Sequence, residues 1–224
     1  MFRSEPRFLL VRTNLYAIQW MVRGNLTIYE ADIAETHRRG LTYILGEMNS
    51  IACHGAPGVS NTAGAALWTI EFTLQAATLG IKELFFHEGI GYKYNFMQPI
   101  SLNRSIVDGS PLDPPAPPHI QPPFYGGLVV NTFVGHTGGA FEVQGRRAIL
   151  KRLVIEHADD TEGLTWAGQS YENSNVSPEG KLATEEVDLS EGFDIRSTCS
   201  SRIPDVVEYK NLRWFVYTLL FNAL

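Results

Sequence analysis

The sequence predicts an α/β segment followed by a β-rich one, and three observations carry the division. Between Leu41 and Phe86 an apolar run, a stretch of helical period and a second apolar run make a strand–helix–strand unit. Prolines crowd the stretch Asp113 to Pro123. After Gly135 the helical period is lost, and Gly138, Gly139, Gly145, Gly163, Gly168 and Gly180 punctuate short runs of β-forming residues.

Taken in order, residues 1–20 have no firm assignment: Met1 to Arg12 suits a short strand and Leu15 to Val22 a turn or two of helix. Tyr29 to His37 reads as a helix with Asp32 and Glu35 facing water and Ile33 with Ala34 inward. Arg38, Arg39 and Gly40 form a basic last turn followed by a C′ glycine, so a buried strand is expected from Leu41 through Tyr43, Ile44 and Leu45, ending on Glu47. The loop from Met48 to Val59 contains Cys53-His54-Gly55-Ala56-Pro57-Gly58 and has no period. Ser60 reads as an N-cap. Ala63, Ala66, Leu67, Ile70, Leu74 and Ala77 then mark a helix from Thr62 to Leu79, stopped at Gly80. Ile81 to Phe86 is the second strand, followed by His87, Glu88, Gly89, Gly91, Tyr92 and Tyr94.

Met97 to Leu102 suits one more strand. The proline stretch can be neither helix nor interior strand and must run extended over a surface, as a stiff connector rather than a ligand for a proline-binding module. Phe124 to Val134 is a short helix or strand between Pro123 and Gly135. Leu150 to Ile155, Leu164 to Trp166 and Phe193 to Ile195 are the β segments of the second part. Ser200 to Leu224 is a hydrophobic tail without turn signals, suited to a packed helix or an exposed, sticky end.

Composition excludes several classes. A chain of 224 residues that is 44% hydrophobic holds one large domain or slightly more. A net charge of -6 argues against a general nucleic-acid surface. No apolar run reaches the roughly 20 residues of a membrane helix. Phe8 to Val11, cut off by Arg12, is too short for a secretory leader. Cys53 and Cys199 show no metal-type spacing, and Asn25, Asn103 and Asn175 open glycosylation sequons in form only.

The chemistry concentrates at the two strand ends. A carboxylate at the carboxyl end of a strand in a strand–helix–strand unit sits where α/β barrels and open α/β sheets place their active groups, and one unit does not distinguish the two. Glu47 therefore suits a nucleophile or general acid/base, against the competing reading of a salt-bridged or capping residue. His54 and His87, with Cys53 and Glu88 nearby, lack ligand spacing and read as structural histidines, so no metal is expected. No G-x-S-x-G elbow, dinucleotide fingerprint or phosphate loop occurs, and no cofactor is expected.

The runs Tyr43 to Ser50, Cys53 to Ser60, Ala65 to Trp68 and Phe86 to Tyr92 resemble glycoside hydrolase family 79, which holds the fungal β-glucuronidases and heparanase. The similarity extends over roughly Leu15 to Thr198 and is most specific from Leu41 to Gly135. It implies a (β/α)8 barrel followed by a β-sandwich and hydrolysis of glucuronosides with retention. Residues 21–135 would be the carboxyl-terminal part of an incomplete barrel, 136–199 a partial sandwich, and 200–224 an unrelated tail. Glu47 matches the family nucleophile, with Met48 where the family has Thr. The loop around Cys53, His54 and Gly55 would approach the uronate carboxylate, and Tyr92 or Tyr94 would donate a phenol to it. The family's acid/base glutamate follows an asparagine on an earlier strand, yet this chain has no Asn-Glu dipeptide. These departures imply a truncated product, either a hydrolase or a silent sugar-binding remnant. The partner would be a glucuronic-acid-containing glycan, the family implies export, and unpaired barrel edges imply self-association.

Overall fold

The computed structural model describes residue 22 and residues 24–135, 147–188 and 219–222. Its first half is organised by two helix-to-strand junctions of the same design. Helix α1 (Glu30–Arg38) ends at Gly40, whose φ is +71°, and leads to strand β1 (Ile44–Met48). Helix α2 (Ala63–Thr78) ends at Gly80, φ +85°, and leads to strand β2 (Glu83–Phe86). At both junctions the glycine N–H and the next N–H turn back onto the helix. Gly40 N donates to His37 O at 2.9 Å and Leu41 N to Thr36 O at 3.0 Å; Gly80 N donates to Ala77 O at 3.0 Å and Ile81 N to Ala76 O at 3.1 Å. These are Schellman closures, which need a left-handed residue at C′. At Gly80 a Cβ would also come within 2.7 Å of the His37 ring.

β1 and β2 pair in parallel, with Ile44 opposite Glu83, Leu45 opposite Leu84 and Met48 opposite Phe86. Side chains alternate across a strand, so Leu84 and Phe86 turn together toward the core around Trp68, Ala76 and Ile81; Leu45 joins them, and the register irregularity between Leu45 and Met48 brings Met48 to the same side. Ile44 and Phe85 point the other way and are 46% and 49% exposed. The strand expected to be buried is thus covered on one face only. Ala34 is also exposed rather than inward, because it lies about 100° around the helix from buried Ile33. Parallel pairing among the described residues stops at these two strands, and they contain no closed barrel.

α2 is apolar nearly all round. One side meets the strands, and the other packs on helix α3 (Pro123–Val134), giving a core of Ala66, Ile70, Tyr125 and Val129 that also takes in Leu164 and Trp166. Phe124 to Val134 thus resolves as helix. A Cβ at Gly126 would lie 2.5 Å from Ala66 O, so the two helices touch backbone to backbone there. Ser60 is not the cap of α2. Thr62 holds that position without a side-chain cap bond, and the first helical N–H groups are satisfied from far along the chain: Ala63 N donates to Asp160 O and Gly64 N to Ala158 O, both at 2.7 Å.

Between β2 and α3 the chain makes two antiparallel pairs. Strand β3 (Met97–Gln98) pairs with β6 (His119–Ile120), and β4 (Leu102–Arg104) with β5 (Pro111–Ala116). The strand expected over Met97 to Leu102 is therefore two short ones, and the proline stretch runs extended in edge pairing, where missing N–H donors are tolerated. In the second half, β7 (Arg147–Lys151) lies between β10 (Glu185–Asp188) and β11 (Leu219–Asn222), and β8 (Leu153–Val154) pairs with β9 (Thr165–Trp166). Within the tail, Leu219–Asn222 is therefore a paired strand, neither helix nor loose end, because β7 offers it an open edge. Phe193 to Ile195 lies outside the described residues. No described helix is long and apolar enough to cross a membrane.

Candidate functional site

Parallel pairing sets the ends of β1 and β2 side by side, and this places Glu47 against His87. His87 N donates to Met48 O at 3.0 Å, and Asn49 Nδ2 donates to His87 O at 3.0 Å, tying the two strand ends together beyond the regular ladder. His87 Nδ1 then lies 3.5 Å from Glu47 Oε1 and 2.9 Å from the Tyr94 hydroxyl. One ring nitrogen thus faces two oxygens. Protonated, it donates toward the carboxylate or the phenol oxygen; unprotonated, it accepts the phenol proton. Burial pushes the Tyr94 phenol up, with Tyr92, Glu47, Glu88 and Cys53 adding to the effect, so Tyr94 stays a neutral donor. Glu47 itself is 75% exposed, open to a ligand.

Four rings form the floor beside this carboxylate. Tyr92 stacks face to face on His54 at 4.0 Å and meets His87 and Tyr94 edge-on at 5.4 Å and 5.7 Å. The stack depends on an unusual turn. Cys53, His54 and Gly55 all have positive φ, at 58°, 70° and 84°, a conformation disfavoured for the first two. Its return is that His54 O accepts Lys93 N at 2.9 Å, joining the loop after β1 to the loop after β2. Gly55 cannot be replaced without collision, since a Cβ there would meet Ser60 Cβ at 2.9 Å and Lys93 Cβ at 3.1 Å. Ser60 is fully buried, accepts Ala56 N at 3.0 Å and meets Ser50 Oγ at 3.1 Å. Cys53 is a free, exposed thiol at the rim.

The second loop is held by buried amides that pattern reading overlooks. Asn95 accepts Gly89 N at 3.1 Å and donates to Gly89 O. Gln98 accepts Gly91 N at 3.0 Å and donates to Tyr92 O at 2.8 Å, and Gln121 Nε2 reaches the same oxygen at 3.3 Å. Their only sequence signal is an amide set in an aromatic-rich stretch.

Glu88, on the neighbouring strand end, is committed elsewhere: its carboxylate accepts Phe96 N at 2.9 Å and 3.1 Å. Burial raises its pKa, opposed by the Phe96 and Met97 N–H groups and by His87. Among the described residues no group of three or more His, Cys, Asp or Glu could hold a metal ion. The structure therefore brings Glu47, Tyr92 and Tyr94 around His87, with His54 stacked on Tyr92, Gly55 in the same turn and Cys53 exposed beside it.

An exposed carboxylate above aromatic rings, flanked by a neutral phenol and an imidazole, can attack an electrophilic carbon or accept a proton. Phenol and N–H donors can also hold an anionic sugar without a fixed cation. Comparison with known proteins points the same way. No family model matches the chain. It is 38% identical over 91 residues, 41% of its length, to a β-glucuronidase of Aspergillus niger, and 37% identical over 91 residues to a β-glucuronidase of Neurospora crassa. The matched segment covers only 15% and 14% of those two relatives. Among solved structures, a 4-O-α-L-rhamnosyl-β-D-glucuronidase from Fusarium oxysporum, bound to Rha-GlcA, superposes with a TM-score of 0.62 at 18% identity. That match takes in 80% of this chain and 46% of the other, and it shows a shared fold. The chain is thus β-glucuronidase-like in sequence over its matched segment and shares the fold of that solved structure over the part superposed.

Proposed function

We propose that this chain carries the nucleophile half of a retaining β-glucuronidase-like site. Glu47 is the nucleophile, the loop of Cys53, His54 and Gly55 faces the uronate carboxylate, and Tyr92 or Tyr94 donates a phenol to it. The observation that carries this reading is the meeting of Glu47, His87 and Tyr94 at the ends of two parallel strands, in a chain similar to β-glucuronidases. On this reading residues 21–135 are the carboxyl-terminal part of a (β/α)8 barrel and 136–199 part of a β-sandwich. The bare face bearing Ile44 and Phe85 supports self-association.

Retention requires a second, protonated carboxyl about 5 to 5.5 Å from the nucleophile. Glu88 is not that group on this reading, because its carboxylate is turned onto its own loop, where Phe96 N donates to it. The same observation favours a second reading, glucuronide binding without turnover. An aryl β-glucuronide, whose leaving group needs little protonation, separates the two. The hydrolase reading expects turnover that falls at least about 1,000-fold in Glu47→Gln, with stability unchanged because Glu47 is exposed. Binding of glucuronide without turnover, and without covalent labelling of Glu47 by a fluoro-glucuronide, would overturn it in favour of the second.

A further inference from the structure

A pocket of about 460 Å³ opens next to the ring cluster, where the loop after β1 meets the β4–β5 turn. Pro57, Gly91 and Lys93 line one side, and Arg104, Asp108 and Gly109 the other. The volume falls in the range of about 300–1,000 Å³ usual for small-ligand sites. Lys93 stands between Tyr92 and Tyr94 in the chain and is tied to His54 O through its own N–H, so pocket and ring cluster share one loop.

The charges in this pocket are unbalanced. Arg104 Nη1 donates to Gly109 O at 3.0 Å, which anchors the guanidinium against the turn and leaves its other N–H groups available. Asp108 is the one acid in the lining, and it is turned onto its own loop, accepting Ser110 N at 3.1 Å and Ser110 Oγ at 2.8 Å. Those bonds hold its carboxyl below the usual range, so it stays ionised and engaged there. Among the described residues neither Lys93 nor Arg104 forms an ion pair. Two basic residues thus line one cavity in a chain whose net charge is -6.

We propose that this pocket is a second sugar subsite, which takes a carboxylate-bearing sugar unit joined to the glucuronyl group over the ring cluster. Lys93 and Arg104 bind its carboxylate, and Gly91 and Gly109 keep the walls open. The assignment rests on the ring cluster being a uronate site and adds a preference for diacidic over monoacidic ligands.

Calorimetric titration of the full chain with methyl β-glucuronide and with a disaccharide of two glucuronic acid units tests it. The disaccharide is expected to bind roughly fivefold more tightly, with an advantage that shrinks as salt is added. Replacing both cations, Lys93→Gln with Arg104→Gln, should abolish that advantage and leave methyl β-glucuronide binding unchanged. Equal affinities in the unmodified chain, or equal losses for both ligands in the double variant, would overturn the subsite. Should neither glycoside bind, the uronate reading of the ring cluster fails instead. The pocket is then judged by titrating free glucuronate while following the amide resonances of Gly91 and Gly109. A saturable shift that vanishes in the double variant sustains an acidic-sugar pocket; its absence refutes it.

Discussion

The two sides of helix α2 are closed to different degrees. Toward α3 and β9, Ala63, Ala66, Ile70, Tyr125, Val129 and Leu164 are all 0% exposed, and Gly126 lets the helix backbones touch. Toward β1 and β2, the strands cover α2 with one face and leave Ile44 and Phe85 to solvent on the other. The tight side is built from packing residues, of which Tyr125 also accepts Tyr171 N through its hydroxyl at 3.0 Å. The open side carries Glu47, His87 and the two tyrosines. The difference teaches that the candidate site is built on the thinner layer and draws its rigidity from loops pinned by buried amides and from the helix pair behind it.

The sharpest way to break the contrast is at the tight side. Gly126→Val would drive a side chain into Ala66 O and Thr69 and is expected to destabilise by about 3 kcal/mol or more, read as a fall in the denaturation midpoint. Next comes the pinned loop. Gln98→Leu leaves Gly91 N without its acceptor and Tyr92 O with only the longer bond from Gln121 Nε2, and should cost about 1–3 kcal/mol, while also weakening glucuronide binding because Tyr92 loses its shorter backbone anchor. The open face predicts the opposite behaviour: Phe85→Ser should change stability by no more than about 0.5 kcal/mol, yet reduce concentration-dependent association in sedimentation.

The smallest expected effect is a pH dependence at Glu88. Its pKa is raised in the folded chain, so the folded state holds that proton more tightly than the unfolded state does. The contribution is complete below the ordinary glutamate range and is lost as pH rises through the raised value. Glu88→Gln should therefore flatten a shallow decline in melting temperature as pH rises above the ordinary glutamate range.

Much of the α/β framework is legible one residue at a time. Gly40 and Gly80 mark helix ends because a C′ residue must adopt positive φ, a local requirement that leaves a local trace. Ser60 misleads for the converse reason: the first N–H groups of the helix are satisfied by the carbonyls of Asp160 and Ala158, a partnership no window around residue 60 contains. The apolar run at β1 overstates its burial, because such a run shows hydrophobicity, while the number of layers covering it depends on what else folds against it. His87 read as an isolated structural histidine, since its partners stand 40 and 7 residues away and meet it only through parallel pairing and a folded-back loop.

By itself, then, the sequence determined the order of elements, the glycine-closed turns, the carboxylate at the end of β1 and the resemblance to β-glucuronidases. Each is written in neighbouring residues or in a contiguous match. Only the tertiary structure decided which ring stacks on which, that Glu88 is engaged by Phe96 N while Glu47 stays open, and that Lys93 and Arg104 line one pocket. Those relations depend on distances between segments that the chain keeps apart, and strand register together with loop hydrogen bonds sets such distances.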